Sequence, residues 1–304
     1  MDLAIANEHL GLVVTTAGGS VWRFFARLEG GDVPIFRAPP PGPARNPLSA
    51  GCFPLVPFGN RVRGNRFAFE GEEHRLKPNT DWDPHYLHGD GWTSSWTVSE
   101  AGNTAIRLGL DHGASGTPYA FSCEQSFVLD GPALTMTLSV ENRGPVALPF
   151  GLGWHPYFPL TPRTVLTSRS ASYWDEDDQW LPTVRHSTGG DLDFSGGAHL
   201  PRRWVNTLFE GWDGRAAIHW PEHNLAIVVE ADPLFDRSLI FVSDPAFDSG
   251  YAYDFFCFEP MSHGIDGHNV TDGAGLRRLA PGESLAGSFR IALGPTPDEN
   301  GRTS

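Results

Sequence analysis

Two imidazoles, a carboxylate and a guanidinium occupy unusual surroundings in this sequence. Cys52-Phe53-Pro54-Leu55-Val56-Pro57-Phe58-Gly59-Asn60-Arg61 is an apolar run that ends in an amide and a guanidinium. Leu87-His88-Gly89-Asp90-Gly91-Trp92 sets an imidazole in a glycine-rich turn, and Gly153-Trp154-His155-Pro156-Tyr157-Phe158 sets another among aromatic rings. Phe255-Phe256-Cys257-Phe258-Glu259-Pro260 ends a strongly apolar stretch on a carboxylate. Burial raises a carboxyl pKa, so a Glu there calls for hydrogen bonds or a basic neighbour such as His or Arg. Together Arg61, His88, His155 and Glu259 are the parts that general acid–base catalysis needs on a neutral polar substrate, one group removing a proton while another delivers one. Taken singly, each has a plainer reading, since most arginines are solvated and a histidine among aromatics is more often a satisfied core residue.

Other chemistries find less support. The sequence has no Gly-x-Ser-x-Gly elbow for a serine hydrolase, no phosphate-binding GxxxxGK[ST] loop and no HExxH pair. His219 and His223 are four residues apart, but Pro221 between them argues against the helix that would align them, so no metal is expected. Asp175-Glu176-Asp177-Asp178 lacks the Gly and closing Glu of a calcium loop and reads as a solvated acidic turn. Trp92, Trp96, Trp154 and Trp212 could stack on a sugar ring, yet in a chain with ten Trp and 20 Phe such residues mainly build core.

The elements that must hold these groups read as strands. Gly and Pro, at 35 and 26 residues, are spread evenly and cut the chain into short pieces with no long helical period. In Ala133 to Val140, Leu134, Met136, Leu138 and Val140 share one parity while Thr135, Thr137 and Ser139 take the other, as a half-buried strand requires. Phe121, Cys123, Phe127 and Leu129 behave likewise, and Asp130-Gly131-Pro132 between the two segments reads as a hairpin turn. Further strands are expected at Ile106 to Leu110, Ala216 to Trp220, Leu225 to Glu230, Leu239 to Ser243, Asp254 to Phe258 and Phe289 to Leu293. Many short strands at this spacing predict an all-β sandwich or barrel, here one domain over 1–304 with a loose tail from about Pro295. Pro39-Pro40-Pro41-Gly42-Pro43 is expected to be a stiff surface loop.

Composition narrows the partners. Against 36 acidic residues stand 22 basic ones, a net charge of −14, and no dense Lys/Arg run is present, so nucleic acid and membrane surfaces are not expected. Cys52, Cys123 and Cys257 lie far apart without CxxC spacing, which suits a reducing compartment. The first residues lack the basic start and unbroken apolar run of a signal peptide, and a cytoplasmic location is expected.

In this order the segments resemble the aldose 1-epimerase family, the galactose mutarotases and their relatives. The likeness rests on Pro54 to Arg61 with Gly64 following, on Leu87-His88-Gly89 with Gly91-Trp92, on His155-Pro156-Tyr157-Phe158 and on Glu259-Pro260. It implies a large antiparallel β-sandwich whose groove holds a sugar and exchanges its α and β anomers without a cofactor. By the same resemblance, Glu259 acts as base on the anomeric hydroxyl, His155 protonates the ring oxygen, and His88 and Arg61 position the sugar, with Asn60 beside them. Where many family members carry Asp in a D-x-x-F segment, Asn206-Thr207-Leu208-Phe209 has Asn, so Asn206 is expected to bind a sugar hydroxyl without charge. Asp213, in Gly211-Trp212-Asp213-Gly214, is a competing candidate, although a turn-forming Asp-Gly is the commoner explanation.

The expected partner is a small-molecule sugar, the expected assembly a monomer or homodimer. A sugar-phosphate mutarotase would need a basic groove rim, for which Arg61, Arg63 and Arg66 are the available cluster. A non-catalytic sugar-binding protein would have no need of an acid–base pair, and a lyase or hydrolase would typically need a different set of Tyr, Asp or Glu.

Overall fold

The computed structural model describes residues 1–42 and 45–295, so the expected tail lies, past Pro295 itself, outside the described residues, as does Pro43 of the proline-rich run. Among the described residues there is no α-helix; strands alternate with loops and short 3-10 turns. All paired strands run antiparallel within three main sheets. The fold is an all-β, antiparallel sandwich, as the strand pattern predicts.

The largest sheet has nine strands in the order Thr97–Ala101, Ala105–His112, Phe121–Asp130, Ala133–Asn142, Ser284–Leu293, Leu225–Ala231, Arg215–Trp220, Val165–Ser168 and Ala198–His199. The hairpin read from Asp130-Gly131-Pro132 is present, with Asp130 opposite Ala133 and Gly131 at φ 51°, a left-handed value that suits glycine. A second, eight-stranded sheet runs Pro182–Ser187, Ser172–Glu176, Val205–Glu210, Arg237–Val242, Phe255–Met261, Gly153–Trp154 and Pro54–Leu55, with Tyr157–Pro159 also paired to Phe255–Met261. The first 34 residues form a four-stranded sheet that the periodicity did not single out.

The core lies where the period of two puts it. Leu134, Met136, Leu138 and Val140 from the large sheet join Phe256, Phe258, Ile240 and Val242 from the second in one buried cluster. Trp154 stacks on Phe289 across the two sheets, with ring centroids 5.7 Å apart. Its indole donates to Gln125 Oε1 at 3.0 Å, and the Gln125 amide donates to the Gly19 carbonyl at 2.8 Å, so one buried side-chain relay ties three sheets together. Both polar side chains are satisfied, as burial demands.

Several strands outrun their expected bounds. The segment read as 254–258 continues through Pro260 to Met261, and the one read as 289–293 begins at Ser284. Proline normally ends a central strand because it has no N–H for the ladder, yet Pro260 lies inside this one.

Candidate active site

Alternation along Phe255–Met261 decides what faces the site. Phe256 and Phe258 point into the sandwich core, while Cys257, Glu259 and Met261 take the opposite face with a second apolar cluster that includes Phe53, Tyr157 and Leu239. Leu239 is the register partner of Glu259, and Tyr157 that of Cys257. This outer face of the eight-stranded sheet forms the floor of a cavity of about 600 Å³. Asn60, Arg61, His88, His155, Asn206 and Glu259, all singled out from sequence, line it together. Asp213 does not; its Oδ1 accepts from the Arg215 N–H in a turn.

His155 and Glu259 meet directly. His155 Nε2 lies 3.1 Å from Glu259 Oε1. The His155 ring is stacked between Phe53 and Tyr157 at 4.6 and 4.7 Å, and its backbone N–H donates to the Phe53 carbonyl at 2.9 Å. Burial pushes the Glu259 carboxyl well above its ordinary pKa, opposed only in part by the Arg61 charge, and pushes His155 down to about 3. Among the described residues, Glu259 Oε2 and His155 Nδ1 are buried without a hydrogen-bond partner. The low-dielectric setting therefore favours an uncharged pair, a protonated carboxyl beside a neutral imidazole. Burial thus moves the carboxyl toward neutrality and the imidazole away from it.

His88 is held by a backbone device. Asn60 and His88 both adopt left-handed φ, 59° and 60°, a conformation costing non-glycine residues about 1 kcal/mol or more. The His88 N–H donates to the Asn60 carbonyl at 2.9 Å, and the Asn60 N–H donates to His88 Nδ1 at 3.0 Å. With Nδ1 accepting, a neutral His88 carries its proton on Nε2 and is a donor there. Burial keeps it neutral, with its pKa well below the usual imidazole value. Gly89 follows because a Cβ at that position would sit 2.5 Å from the Val56 carbonyl oxygen.

Arg61 is locked rather than free. Its Nε donates to Asp83 Oδ2 at 2.9 Å, its Nη1 reaches Asn60 Oδ1 at 3.4 Å, and its guanidinium lies 4.9 Å over the Trp180 ring. Asp83, fully buried and not singled out from sequence, is thus the anchor of the site's cation. Arg63 pairs with Asp266 at 3.2 Å, and neither Arg63 nor Arg66 lines the cavity. The acidic stretch also differs from expectation: Glu176 closes strand Ser172–Glu176 and accepts from Trp204 Nε1 and Asn206 Nδ2, whereas Asp177 accepts from the N–H groups of Gln179 and Leu181 in a turn. The tryptophans named as possible stacking faces, Trp92, Trp96, Trp154 and Trp212, are buried; the cavity instead has Trp82 and Phe247, 48% and 46% exposed.

Ligand atoms of His155, Cys257 and Glu259 lie within 4.8 Å of one another, a grouping their sequence spacing did not suggest. A metal would require a thiolate and a carboxylate there. Burial raises both the Cys257 and Glu259 pKa values, which opposes that loss of protons.

The sequence pattern of the aldose 1-epimerase family matches residues 2–292. The chain belongs to the aldose 1-epimerase family. The uncharacterised protein YphB of Escherichia coli K12 is 49% identical to it over 245 residues, 80% of this chain and 84% of YphB. YihR, another uncharacterised protein of that bacterium, is 27% identical over 246 residues, 77% of each chain. A solved structure of a candidate aldose 1-epimerase from E. coli K12 superposes with a TM-score of 0.91 at 43% identity, covering 97% of this chain and 99% of the other. A galactose mutarotase-like protein from Clostridium acetobutylicum shares the fold, with a TM-score of 0.82, 20% identity and coverage of 96% and 94%. No helix among the described residues of this aldose 1-epimerase family member is long and apolar enough to cross a membrane.

Proposed function

We propose that the protein is a cofactor-independent mutarotase acting on a free aldose such as glucose or galactose. The observation carrying this reading is the His155 Nε2–Glu259 Oε1 contact of 3.1 Å on the floor of a cavity also lined by His88, Arg61, Asn60 and Asn206. The pair holds one transferable proton, and the hydroxyl groups of a bound sugar give it polar surroundings. Moving that proton from Glu259 to His155 then yields a carboxylate base and an imidazolium acid. Glu259 removes the proton of the anomeric hydroxyl while His155 protonates the ring oxygen. The C1–O bond to the ring oxygen breaks and the open-chain aldehyde forms. Rotation about C1–C2 exposes the other face, and reclosure with the two proton transfers reversed gives the other anomer. The Nε2–H of His88 and the guanidinium of Arg61 are donors for the oxygens on which charge develops.

A sugar-phosphate substrate is less well supported. Asp83 balances the charge of Arg61, and Arg37, the other guanidinium lining the cavity, donates to the Leu48 and Ala50 carbonyls and lies over Tyr157 and Phe255. Polarimetry on freshly dissolved α-D-glucose, α-D-galactose and glucose 6-phosphate tests both readings. Accelerated equilibration of a free hexose is expected; acceleration confined to the phosphate ester would replace the free-aldose reading, and none at all would remove the activity.

A further inference from the structure

Two strands away from the one that carries Glu259, the cavity is lined by part of a three-residue relay that the proposed proton chemistry does not use. Strands Ser172–Glu176 and Val205–Glu210 pair with Ser172 opposite Glu210 and Tyr173 opposite Phe209, a register that carries Glu176 toward Asn206. Asn206 Nδ2 donates to Glu176 Oε2 at 2.6 Å, and Trp204 Nε1 donates to Glu176 Oε1 at 2.5 Å. Both carboxylate oxygens are thus engaged. Asn206 and Trp204 line the cavity, whereas Glu176 stands behind them.

We propose that Glu176 is a positioning residue that sets sugar specificity, by turning the Asn206 amide so that its carbonyl oxygen is presented to a substrate hydroxyl. This rests on the mutarotase reading above. An amide can turn either face to a ligand, and its orientation follows from its partners. Here a carboxylate, which only accepts, takes the NH2 side. The hydroxyl that meets Asn206 Oδ1 must therefore donate, so a deoxy or O-methyl sugar at that position loses the contact.

The same geometry accounts for Asn where the family resemblance leads one to expect Asp. An aspartate at this position would place two carboxylates in contact, and like charges at such a distance cannot both ionise freely. The acceptor oxygen is kept on Asn206 and the negative charge sits one side chain back.

The test is a charge exchange between the two positions, read by steady-state mutarotation and by calorimetric sugar affinity in folded variants. Glu176→Gln and Asn206→Asp should each raise KM and Kd by about tenfold, the effect of one misdirected buried hydrogen bond, with kcat nearly unchanged. The double variant Glu176→Gln/Asn206→Asp should recover most of that loss, because the introduced amide can accept from Trp204 while its NH2 donates to the introduced carboxylate. Single variants that bind like wild type, or losses that add instead of cancelling, would overturn the assignment. Wild type that binds an aldose without interconverting it would sink the mutarotase reading while the affinity cycle still decides the role of Glu176. Wild type that neither binds nor interconverts an aldose would overturn both.

Discussion

Two pairs of buried histidines, His263 with His268 and His88 with His155, differ in what the fold leaves them to do. His263 is saturated by backbone: the Gly59 N–H donates to its Nε2 at 2.8 Å, and its Nδ1 lies 2.8 Å from the Gly264 carbonyl. The neighbouring His268 meets the Tyr119 hydroxyl at 2.9 Å. Across the site, His155 turns Nε2 to a carboxyl that itself has an unpartnered oxygen, and the fold engages His88 through Nδ1. Burial depresses the pKa of all four rings. Depth and pKa direction alone therefore do not separate a structural imidazole from a chemical one; the atoms left for a ligand do.

Replacing the chemical pair should produce the largest effect. Glu259→Gln and His155→Asn are each expected to lower kcat/KM for anomer exchange by about 10²–10⁴, the usual worth of a proton-transfer group, with circular dichroism unchanged.

Next in size is the pH dependence of stability, where the two kinds of group act with opposite sign. His155 and His263, held near 3 and 4 against an ordinary value of 6.5, let the unfolded chain bind more protons between those limits. Stability should therefore fall as pH drops below about 6.5, each such histidine contributing up to about 1.4 kcal/mol per pH unit. Glu259 is raised, so its contribution is complete below 4.5 and is lost as pH climbs toward its folded value. Urea unfolding of Glu259→Gln against wild type should show a stability advantage for the variant that widens with pH above that point. A constant difference would contradict the buried, protonated carboxyl.

His263→Asn sharpens the contrast from the structural side. Leaving the buried Gly59 N–H without its acceptor should cost about 1–3 kcal/mol in unfolding experiments, while the proposed anomer exchange by the folded protein stays close to wild type. The smallest change is expected at the rim. Trp82→Ala removes an exposed ring from the cavity mouth and should raise KM by only about threefold, a surface contact of well under 1.4 kcal/mol.

Much of this was legible before the structure. Strict alternation from Ala133 to Val140 announced a strand, observed as Ala133–Asn142, because one of its faces is core and the other is not. His88, His155 and Glu259 stood out because each interrupts apolar or glycine-rich surroundings. The hidden parts depend on pairings between distant strands. Nothing local in Asp175-Glu176-Asp177-Asp178 says that one carboxylate turns inward to Trp204 and Asn206 while its neighbour caps a turn. Asp83 likewise carries no local sign of its contact with Arg61. The strand carrying Glu259 ran past a proline that normally ends one.

The most direct measurement is exchange NMR on the anomeric signals of galactose and glucose, with wild type, His155→Asn and His263→Asn at one concentration of folded protein. The account predicts fast exchange for wild type and His263→Asn, and a return to the spontaneous rate for His155→Asn. Exchange by His155→Asn at the wild-type rate would contradict it.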